Sequence, residues 1–436
     1  MLQKLVREQV AYKAKYFNMK NSIKAIYLAI LMSAVVVLAG CNNSKNSNVQ
    51  KQDTRYAEGT FGYDLDFFKK HQKALVLKRN DAMILIAPGY QGRILTSTAS
   101  GLEGKSLGWI NYNLIKSGED APHFNNYGGE ERFWLGPEGG QYSIYFPPGV
   151  DFDFKNWQVP APIDSDPFEL VESSETQAVF KHNIKLKNYS NFDFFLRVDR
   201  TVKLLDNTEI TKESGVKIPT LLNTVAYQSV NKITNTGKIA WTKDSGLLSV
   251  WVLGQLISSP TNTIIVPYVE GEDEELGPIV NDNYFGKVPS ERLKIDNGII
   301  YFKADGKQRG KIGLSPSRAK NYLGSYDSNE KLLTLVFYNK PDEHDGYVNS
   351  MWEIQDKPFS GDVINSYNDG PLEDGTQLGP FYELETSSAA ADLQPGNSLT
   401  HTCTTIHISG DQKLLNKVVK SVFGIEISDI NSAFND

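Results

Sequence analysis

Two glutamates near the end of the chain have the spacing of a carboxylate pair. They lie in "FYELET", residues 381–386, whose aromatic and apolar residues indicate a β-strand. Residues i and i+2 of a strand share a face, so Glu383 and Glu385 lie on one side with their carboxylates roughly 7 Å apart. Like charges this close in a partly dry groove raise one pKa and leave the other group as a usable base. The pair is therefore a candidate for proton transfer, with Glu383 predicted as the neighbour that binds substrate or tunes the other carboxylate.

A second strand with ionisable residues follows this pair. In "LTHTCTTIHIS", residues 399–409, two histidines alternate with apolar positions. Ile406 and Ile408 point to one side, which predicts the core face, while His401 and His407 point to the other. We expect these histidines to face a groove or solvent. They are candidate substrate-binding residues.

A glycine-rich segment earlier in the chain collects further binding groups. "GGEERFWLGPEGG", residues 128–140, holds five glycines, which allow the backbone to approach a ligand closely. Arg132 can donate paired hydrogen bonds to hydroxyls or to a carboxylate, and Trp134 offers a flat apolar face. Together with Glu131 and Glu138, these residues are predicted to bind substrate.

The rest of the chain indicates an all-β fold. "KALVLKR" (73–79) and "AMILIAP" (82–88) flank the dipeptide "ND", which predicts a hairpin. "YSIYFPPG" (142–149) is predicted to be a strand, and 178–187 and 192–205 predict two long ones. Such long strands suit large stacked antiparallel sheets better than a small barrel. Helical periodicity is nearly absent between residues 55 and 410.

The last segment of the chain, residues 411–436, predicts an amphipathic helix. Asp411 is a suitable N-cap and Gly424 a suitable stop. Between them, apolar residues recur at helical spacing. We expect this helix to pack on the β-domain.

The N-terminus predicts export and lipid anchoring. Residues 1–40 contain an apolar, uncharged run behind lysines, and residues 19–40 alone would make a complete signal peptide. The run ends in "LAGC", which resembles the lipobox of bacterial lipoproteins and implies lipidation of Cys41. A short uncleaved signal anchor is the alternative. Residues 41–57 are polar and predict a flexible tether. The expected location is the cell envelope, with the outer membrane indicated by the neutral residue that follows the cysteine.

Charge and composition limit the classes of partner. The formal net charge is −7, which argues against nucleic acid, because phosphates require basic patches. No cofactor and no metal site are predicted from the spacing of histidines, cysteines and carboxylates. The acidic run "EGEDEELG" (270–277) is read as a solvated loop, with a Ca²⁺ site as its alternative.

The stretch from 381 to 407 resembles the end of galactose mutarotase (aldose 1-epimerase) proteins: a "LET" strand, a small-residue loop, a "PG" turn and a Thr/His-rich strand. The resemblance extends in pattern over residues 58–410. It implies a supersandwich of large antiparallel sheets with a sugar site on the concave sheet. In that family the glutamate at the position of Glu385 is the general base that takes the proton of the anomeric hydroxyl. Arg132 matches a sugar-facing arginine of related proteins.

One departure from the family concerns the acid. Mutarotases carry an acid histidine in the middle of the domain, and the corresponding "VAYQSVN" (225–231) has none. His123 is the predicted replacement, with His401 and His407 as alternatives. The resemblance thus implies a sugar-binding protein with epimerase-like proton transfer. A glycan-binding protein without turnover, or a sugar-active lyase or hydrolase on the same fold, remains the alternative.

Overall fold

The computed structural model describes residues 55–339 and 346–434. The predicted signal peptide, Cys41 and most of the predicted tether lie outside these ranges. Within them, no helix is long and apolar enough to cross a membrane.

Most of the regular structure is β-strand. The strands are β1 (Leu75–Arg79), β2 (Ala82–Ala87), β3 (Arg93–Thr98), β4 (Arg132–Gly136), β5 (Glu169–Ser173), β6 (Gln177–Lys187), β7 (Asp193–Leu204), β8 (Asn223–Asn235), β9 (Ser249–Ile257), β10 (Asn262–Pro267), β11 (Leu293–Asp296), β12 (Ile299–Lys303), β13 (Gly310–Leu314), β14 (Tyr322–Asp327), β15 (Leu332–Tyr338), β16 (Ile364–Asn368), β17 (Phe381–Ser387) and β18 (Ser398–Ser409).

Helices are short and few beside these strands. They are α1 (Phe61–His71), α2 (Tyr112–Ser117), α3 (Ala161–Asp164), α4 (Asn207–Ser214), α5 (Asp273–Leu276), α6 (Gln412–Phe423) and α7 (Ile427–Ser432), with 3₁₀ turns at Pro88–Tyr90 and Phe154–Asn156.

The strands form three sheets. The large sheet has ten strands in the order β11-β12-β10-β14-β15-β18-β8-β7-β6-β5, and the small sheet has five in the order β13-β16-β17-β9-β4. β1, β2 and β3 form the third sheet. Neighbouring strands in the two main sheets pair antiparallel. The predicted all-β fold of large antiparallel sheets is confirmed.

The two main sheets pack face to face. The Tyr382 hydroxyl on the small sheet lies 2.7 Å from the Ser325 hydroxyl on the large sheet. Thr386 of the small sheet lies 2.9 Å from Nε2 of His401 on the large sheet. The even-numbered side of β17 therefore faces the inside of the sandwich, and the side that carries Glu383 and Glu385 faces outward.

The C-terminal helices cover the other face of the large sheet. Asp411 caps α6 by accepting from the backbone N–H groups of Lys413 and Leu414, and Gly424 ends the helix in the left-handed region at φ 76°. The buried side of α6 packs in one cluster with Ile406 and Ile408 of β18. The predicted helix is confirmed, and α7 follows it.

Two local predictions are wrong. A helix, α1, occupies residues 61–71, where its aromatic residues hid the helical period; Phe61 and Phe68 are buried on its inner side. Residues 142–149 form turns rather than a strand. There, the Ser143 N–H donates to Gly140 O at 3.0 Å, and the buried Tyr145 hydroxyl donates to Leu135 O at 2.8 Å. The aromatic residues of this segment pack between loops. In the sequence, such a run of apolar residues looks like a strand.

Candidate functional site

The outward side of the small sheet carries a row of polar and aromatic residues. In the pairing of its strands, Glu385 lies opposite Leu253, and Leu253 lies opposite Arg132. Residues that pair across strands share a face, so the alternate positions of four strands meet there. We call this set the Glu385 cluster: Arg132, Trp134, Trp251, Gln255, Lys311, Glu383 and Glu385.

Glu385 is held by one of its two oxygens. Oε2 accepts from Lys311 Nζ at 3.0 Å and from the indole Nε1 of Trp251 at 2.9 Å. Oε1 is buried and accepts from no group of the described residues. A buried carboxylate oxygen without a donor is unfavourable unless water or a ligand supplies one. One side of the carboxylate is thus fixed, and the other is available.

Arg132 is held in a similar way. Its Nη2 donates to Glu383 Oε1 at 3.1 Å, and Gln255 Nε2 donates to the same oxygen at 3.0 Å. The guanidinium lies over the Trp134 ring, 4.0 Å from its centroid. Nε and Nη1 of Arg132 are buried with no acceptor among the described residues, and so is Nε1 of Trp134. The cluster therefore presents unused donors as well as an unused acceptor.

The charges of this face interact strongly. Burial lowers the pKa of Lys311, but Glu385, Glu138 and Glu383 together raise it above its usual value. Burial raises the pKa of Glu138, with Lys311 opposing and Glu385 adding to the shift. Burial likewise raises the pKa of Glu383, against the effect of Arg132. Lys311 thus stays charged, while Glu138 retains its proton to higher pH than an ordinary glutamate.

Asp362, at the rim of the Glu385 cluster, is a further carboxyl group with a raised pKa. Asp362 accepts from the Tyr284 hydroxyl at 2.6 Å and from Asn281 Nδ2 at 3.1 Å. Burial raises its pKa, against the effect of these hydrogen bonds and of Lys311. Trp352 and Trp157 stack on one another beside Glu138, with ring centroids 6.0 Å apart. Acidic and aromatic side chains therefore surround the fixed pair of Glu385 and Lys311.

The cluster is closed rather than a groove. Glu385 is 0% exposed and Arg132 3%, while Glu138 and Trp352 at the rim are half-buried. Two cavities in the described residues lie elsewhere: one of about 430 Å³ beside Tyr90, and one of about 150 Å³ that reaches His407. Glu385 and Arg132, which the resemblance assigns to the sugar site, therefore share one face of the small sheet and are both buried. The Glu385 cluster is the candidate site because of its hydrogen bonds and unpaired buried groups, and not because of a cavity.

The expected solvent exposure of two histidines is wrong, although His407 borders the smaller cavity. His401 and His407 are 1% and 2% exposed and lie between the sheets. His401 bonds to Thr386, and His407 bonds through Nδ1 to Thr334 at 2.9 Å and through Nε2 to Glu130 at 3.1 Å. Both are separated from Glu385 by the small sheet itself. Because α6 covers the isoleucine side of β18, both sides of this strand are core.

The pH dependence of folding should report the burial of His401. Burial lowers its pKa to about 4, against about 6.5 in an unfolded chain. As the pH falls, the His401 side chain is protonated in the unfolded state before it is protonated in the folded state. The free energy of unfolding is therefore unaffected by this group above pH 6.5 and decreases as the pH falls toward 4. Over this pH interval, the free energy of unfolding of His401→Gln should decrease by roughly 3 kcal/mol less than that of the wild type. Urea denaturation measures this difference. The same substitution at the partly exposed His71 is the control. If the free energy of unfolding depends on pH equally in His401→Gln and in the wild type, the prediction is wrong.

Glu131 also lies on the inner side, contrary to its predicted binding role beside Arg132. Its Oε1 accepts from Arg200 Nη2 at 2.7 Å, and the two side chains are 2% and 0% exposed. Adjacent strand residues point to opposite faces, so a segment that presents Arg132 outward must place Glu131 inward. Its contribution is to hold the sheets together.

His123 lies at the outer border of the site. Its Nδ1 bonds to Trp157 O at 2.7 Å, and its ring packs on Phe154 with centroids 4.4 Å apart. In the described residues it makes no hydrogen bond or ion pair with Glu385. Its role as an acid stays a prediction.

Sequence reasoning missed three members of the cluster: Lys311, Trp251 and Gln255. Each occupies an outward position of a short strand, β13 or β9, whose other face is apolar and buried. The lysine in "GKIGL" is the signal that was available, since a single cation within a buried strand needs a partner. Its partner lies 74 residues away in sequence, which pattern alone does not supply.

The acidic segment 270–277 packs against an arginine. It contains α5, and Asp273 accepts from Arg318 Nη2 at 2.6 Å. No group of three or more histidines, cysteines and carboxylates in the described ranges is placed to hold a metal ion. The segment is anchored by an arginine instead.

Comparisons with known proteins place the chain in a family. Curated protein sequences give no match. Among solved structures, a galactose mutarotase-like protein from Lactobacillus casei is 8% identical over 77% of this chain and 100% of its own, with a TM-score of 0.46. A galactose mutarotase related enzyme from Lactobacillus acidophilus is 9% identical over 78% of this chain and 98% of its own, with a TM-score of 0.43. The residues of the site are therefore assigned from contacts within this chain and not from these structures. The family model described as Family of unknown function (DUF6786) matches residues 59–434, so the chain belongs to that family.

Proposed function

We propose that the Glu385 cluster binds a sugar and exchanges its anomeric configuration. The observation that carries this proposal is the state of Glu385: Oε2 is fixed by Lys311 and Trp251, and Oε1 is buried without a donor. A carboxylate held this way by a cation and an N–H group is fixed in its orientation. A substrate hydroxyl that donates to Oε1 would complete the hydrogen bonding and deliver its proton to the base.

The unused groups around Glu385 favour a polyhydroxylated ligand. Arg132 offers two donor nitrogens and Trp134 offers one, while Glu385 and Gln255 each offer a buried acceptor oxygen. Hydroxyl groups both donate and accept, so a sugar can satisfy all of these groups. The indole rings of Trp134 and Trp251 provide apolar surface for the C–H face of the ring. The ligand would reach the cluster past the half-buried rim at Glu138 and Trp352.

The ion pairs of the cluster favour Glu138 as the general acid. Arg132 pairs with Glu383, and Lys311 pairs with Glu385, so both cations of the Glu385 cluster are used. Glu138 pairs with neither, and burial raises its pKa. Two carboxyl groups whose environments differ, one of them with a raised pKa, are the arrangement of an acid–base pair. Glu138 therefore takes the place of the histidine that related mutarotases use.

The proposed reaction is balanced without a co-reactant. Glu385 takes the proton of the anomeric hydroxyl while the bond between the anomeric carbon and the ring oxygen breaks, and Glu138 gives its proton to that oxygen. The open-chain aldehyde rotates about its first carbon–carbon bond. The ring oxygen then attacks the other face of the carbonyl, returning its proton to Glu138, and the new hydroxyl takes its proton from Glu385.

The pH dependence of the reaction tests this assignment. The wild type should accelerate exchange between α and β anomers of at least one aldose, followed by NMR or polarimetry. Because Glu138 acts only while protonated, the rate should fall as pH rises through its raised pKa. Glu138→Gln should remove that decline and lower kcat by roughly 10² to 10⁴. An unchanged pH profile would exclude Glu138, and no exchange of any aldose would exclude the reaction.

Sugar binding without turnover is the second candidate. It is favoured by the contacts of the cluster, in which no histidine of the described residues bonds to Glu385 or Lys311. Calorimetric titration separates the two functions: saturable binding with no exchange supports this candidate. Absence of saturable binding by any sugar would remove both.

The location of the protein is a separate proposal. We infer from the lipobox at residues 38–41 that Cys41 carries lipid and anchors the β-domain to the bacterial envelope, in the outer membrane. The tether that follows would let the domain reach glycans near the membrane surface. Mass spectrometry of the N-terminal peptide tests this, and an unmodified Cys41 in the mature protein would contradict it.

A further inference from the structure

A row of aromatic rings leads from the Glu385 cluster to solvent. Trp134 lies 5.7 Å from Tyr145, Tyr145 lies 6.0 Å from Trp157, and Trp157 lies 5.9 Å from Phe154 between ring centroids. Trp157 is stacked on both neighbours, with interplanar angles of 8° and 20°. Trp134 and Trp157 are 4% and 5% exposed, whereas Phe154 is 58% exposed. The row connects the buried cluster to an open aromatic surface.

Phe154 is held in place at the end of this row. His123 packs against its ring, and the His123 Nδ1 bonds to Trp157 O. Gln158 Nε2 donates to His123 O at 2.8 Å, which ties the same two segments together a second time. A large apolar side chain fixed by its neighbours loses little rotamer freedom when a ligand covers it.

The hydrogen bond of His123 also determines what its ring offers. A carbonyl oxygen only accepts, so Nδ1 must carry the hydrogen in the bond to Trp157 O. In the neutral ring, Nε2 is then an acceptor. Phe154 and His123 together present an apolar ring face with a hydrogen-bond acceptor at its edge. A pyranose is complementary to this surface, because it has an apolar C–H face and hydroxyl donors around its edge.

Trp157 links this surface to the proposed chemistry. One neighbour of its indole is Phe154, and another is Trp352 at the rim of the cluster, with ring centroids 6.0 Å apart. A sugar residue on Phe154 would therefore adjoin one bound beside Glu138 and Glu385. A single exposed phenylalanine needs no explanation by itself, but this one continues a stacked row that ends at unused donors and acceptors.

We propose that the ligand is an oligosaccharide, whose terminal residue occupies the Glu385 cluster and whose next residue stacks on Phe154 and donates a hydroxyl to His123 Nε2. The proposal rests on the proposed sugar-binding function. It defines the substrate class as the end of a glycan chain and gives His123 a binding role outside the reacting centre.

Titration with sugars of increasing length tests the proposal. Defined disaccharides and trisaccharides are compared with the monosaccharide of their terminal residue, using the full chain. The wild type should bind the disaccharide roughly tenfold more tightly than the monosaccharide. Phe154→Ala should remove this gain and leave monosaccharide affinity unchanged. Phe195→Ala, which removes a phenylalanine that is 43% exposed on β7, is the matched control.

The outcomes separate this proposal from the proposed function. Equal affinity for all chain lengths, or an equal loss for monosaccharide and disaccharide in Phe154→Ala, would overturn the subsite while the sugar site stands. Failure of every sugar to bind the wild type would overturn the proposed function, and the subsite with it.

Discussion

Glu385→Gln is expected to lower the rate of anomer exchange by roughly 10² to 10⁴ while the sugar still binds. The amide has nearly the shape of the carboxylate, and its oxygen can still accept from Lys311 and Trp251. It has no capacity to take up the proton of a substrate hydroxyl at the position of Oε1. The loss should therefore appear in kcat, with a much smaller change in the dissociation constant measured by calorimetry.

A second glutamine substitution provides the control for this experiment. Glu330 lies at the surface in an ion pair with Lys105, where the two side chains are 45% and 47% exposed. Glu330→Gln makes the same chemical change away from the cluster and should leave exchange unchanged. If Glu385→Gln and the wild type exchange anomers at equal rates, Glu385 is not the base.

The geometry also explains why the base and the binding groups share one face. Glu383 and Glu385 were predicted to lie together because the side-chain period of a strand is two, and this rule does not depend on the fold. The register of β17 with β9 and β4 then brings Arg132 to the same side. Long-range pairing of this kind decides which polar residues meet, and a local pattern does not contain it.

The histidines of β18 show that the alternation of residues in a strand does not predict whether each face is buried. His401 and Ile406 lie on opposite sides of the same strand, and the sequence suggests that only the isoleucine side is buried. Both sides are core because the small sheet covers one and α6 covers the other. A strand in the middle layer of a three-layer arrangement carries buried polar residues that look exposed in sequence. Predicting them requires knowledge of what packs on each face.

Lys311 was missed for a related reason. Its strand, β13, lies at the edge of the small sheet, and its neighbour β16 begins about fifty residues later in the chain. The buried charge of Lys311 is tolerated because Glu385 lies 3.0 Å away. Sequence reasoning found one half of this ion pair and no cation for it, and two of its candidate acids, His401 and His407, lie on the far side of the small sheet.

The ion pair between Glu131 and Arg200 gives the largest expected effect on stability. Both side chains are almost fully buried, and Arg200 also donates from Nε to Gly92 O at 3.3 Å. Glu131→Gln leaves the guanidinium inside the sandwich without a counter-charge, and this costs about 3–5 kcal/mol of the free energy of unfolding. The change should appear as a lower urea midpoint of the full chain, followed by tryptophan fluorescence.

Two further variants decide whether charge or packing explains that loss. Glu330→Gln removes a charge from an exposed pair of the same 2.7 Å length and should cost at most about 1 kcal/mol. The double variant Glu131→Leu with Arg200→Met replaces the buried pair by apolar side chains of similar size and should recover most of the lost stability. A double variant as unstable as Glu131→Gln would show that the hydrogen bonds of Arg200, and not its unmatched charge, hold the two sheets in place. Equal midpoints for Glu131→Gln and Glu330→Gln would instead mean that water reaches Arg200 and that the pair does not lie in a dry interior.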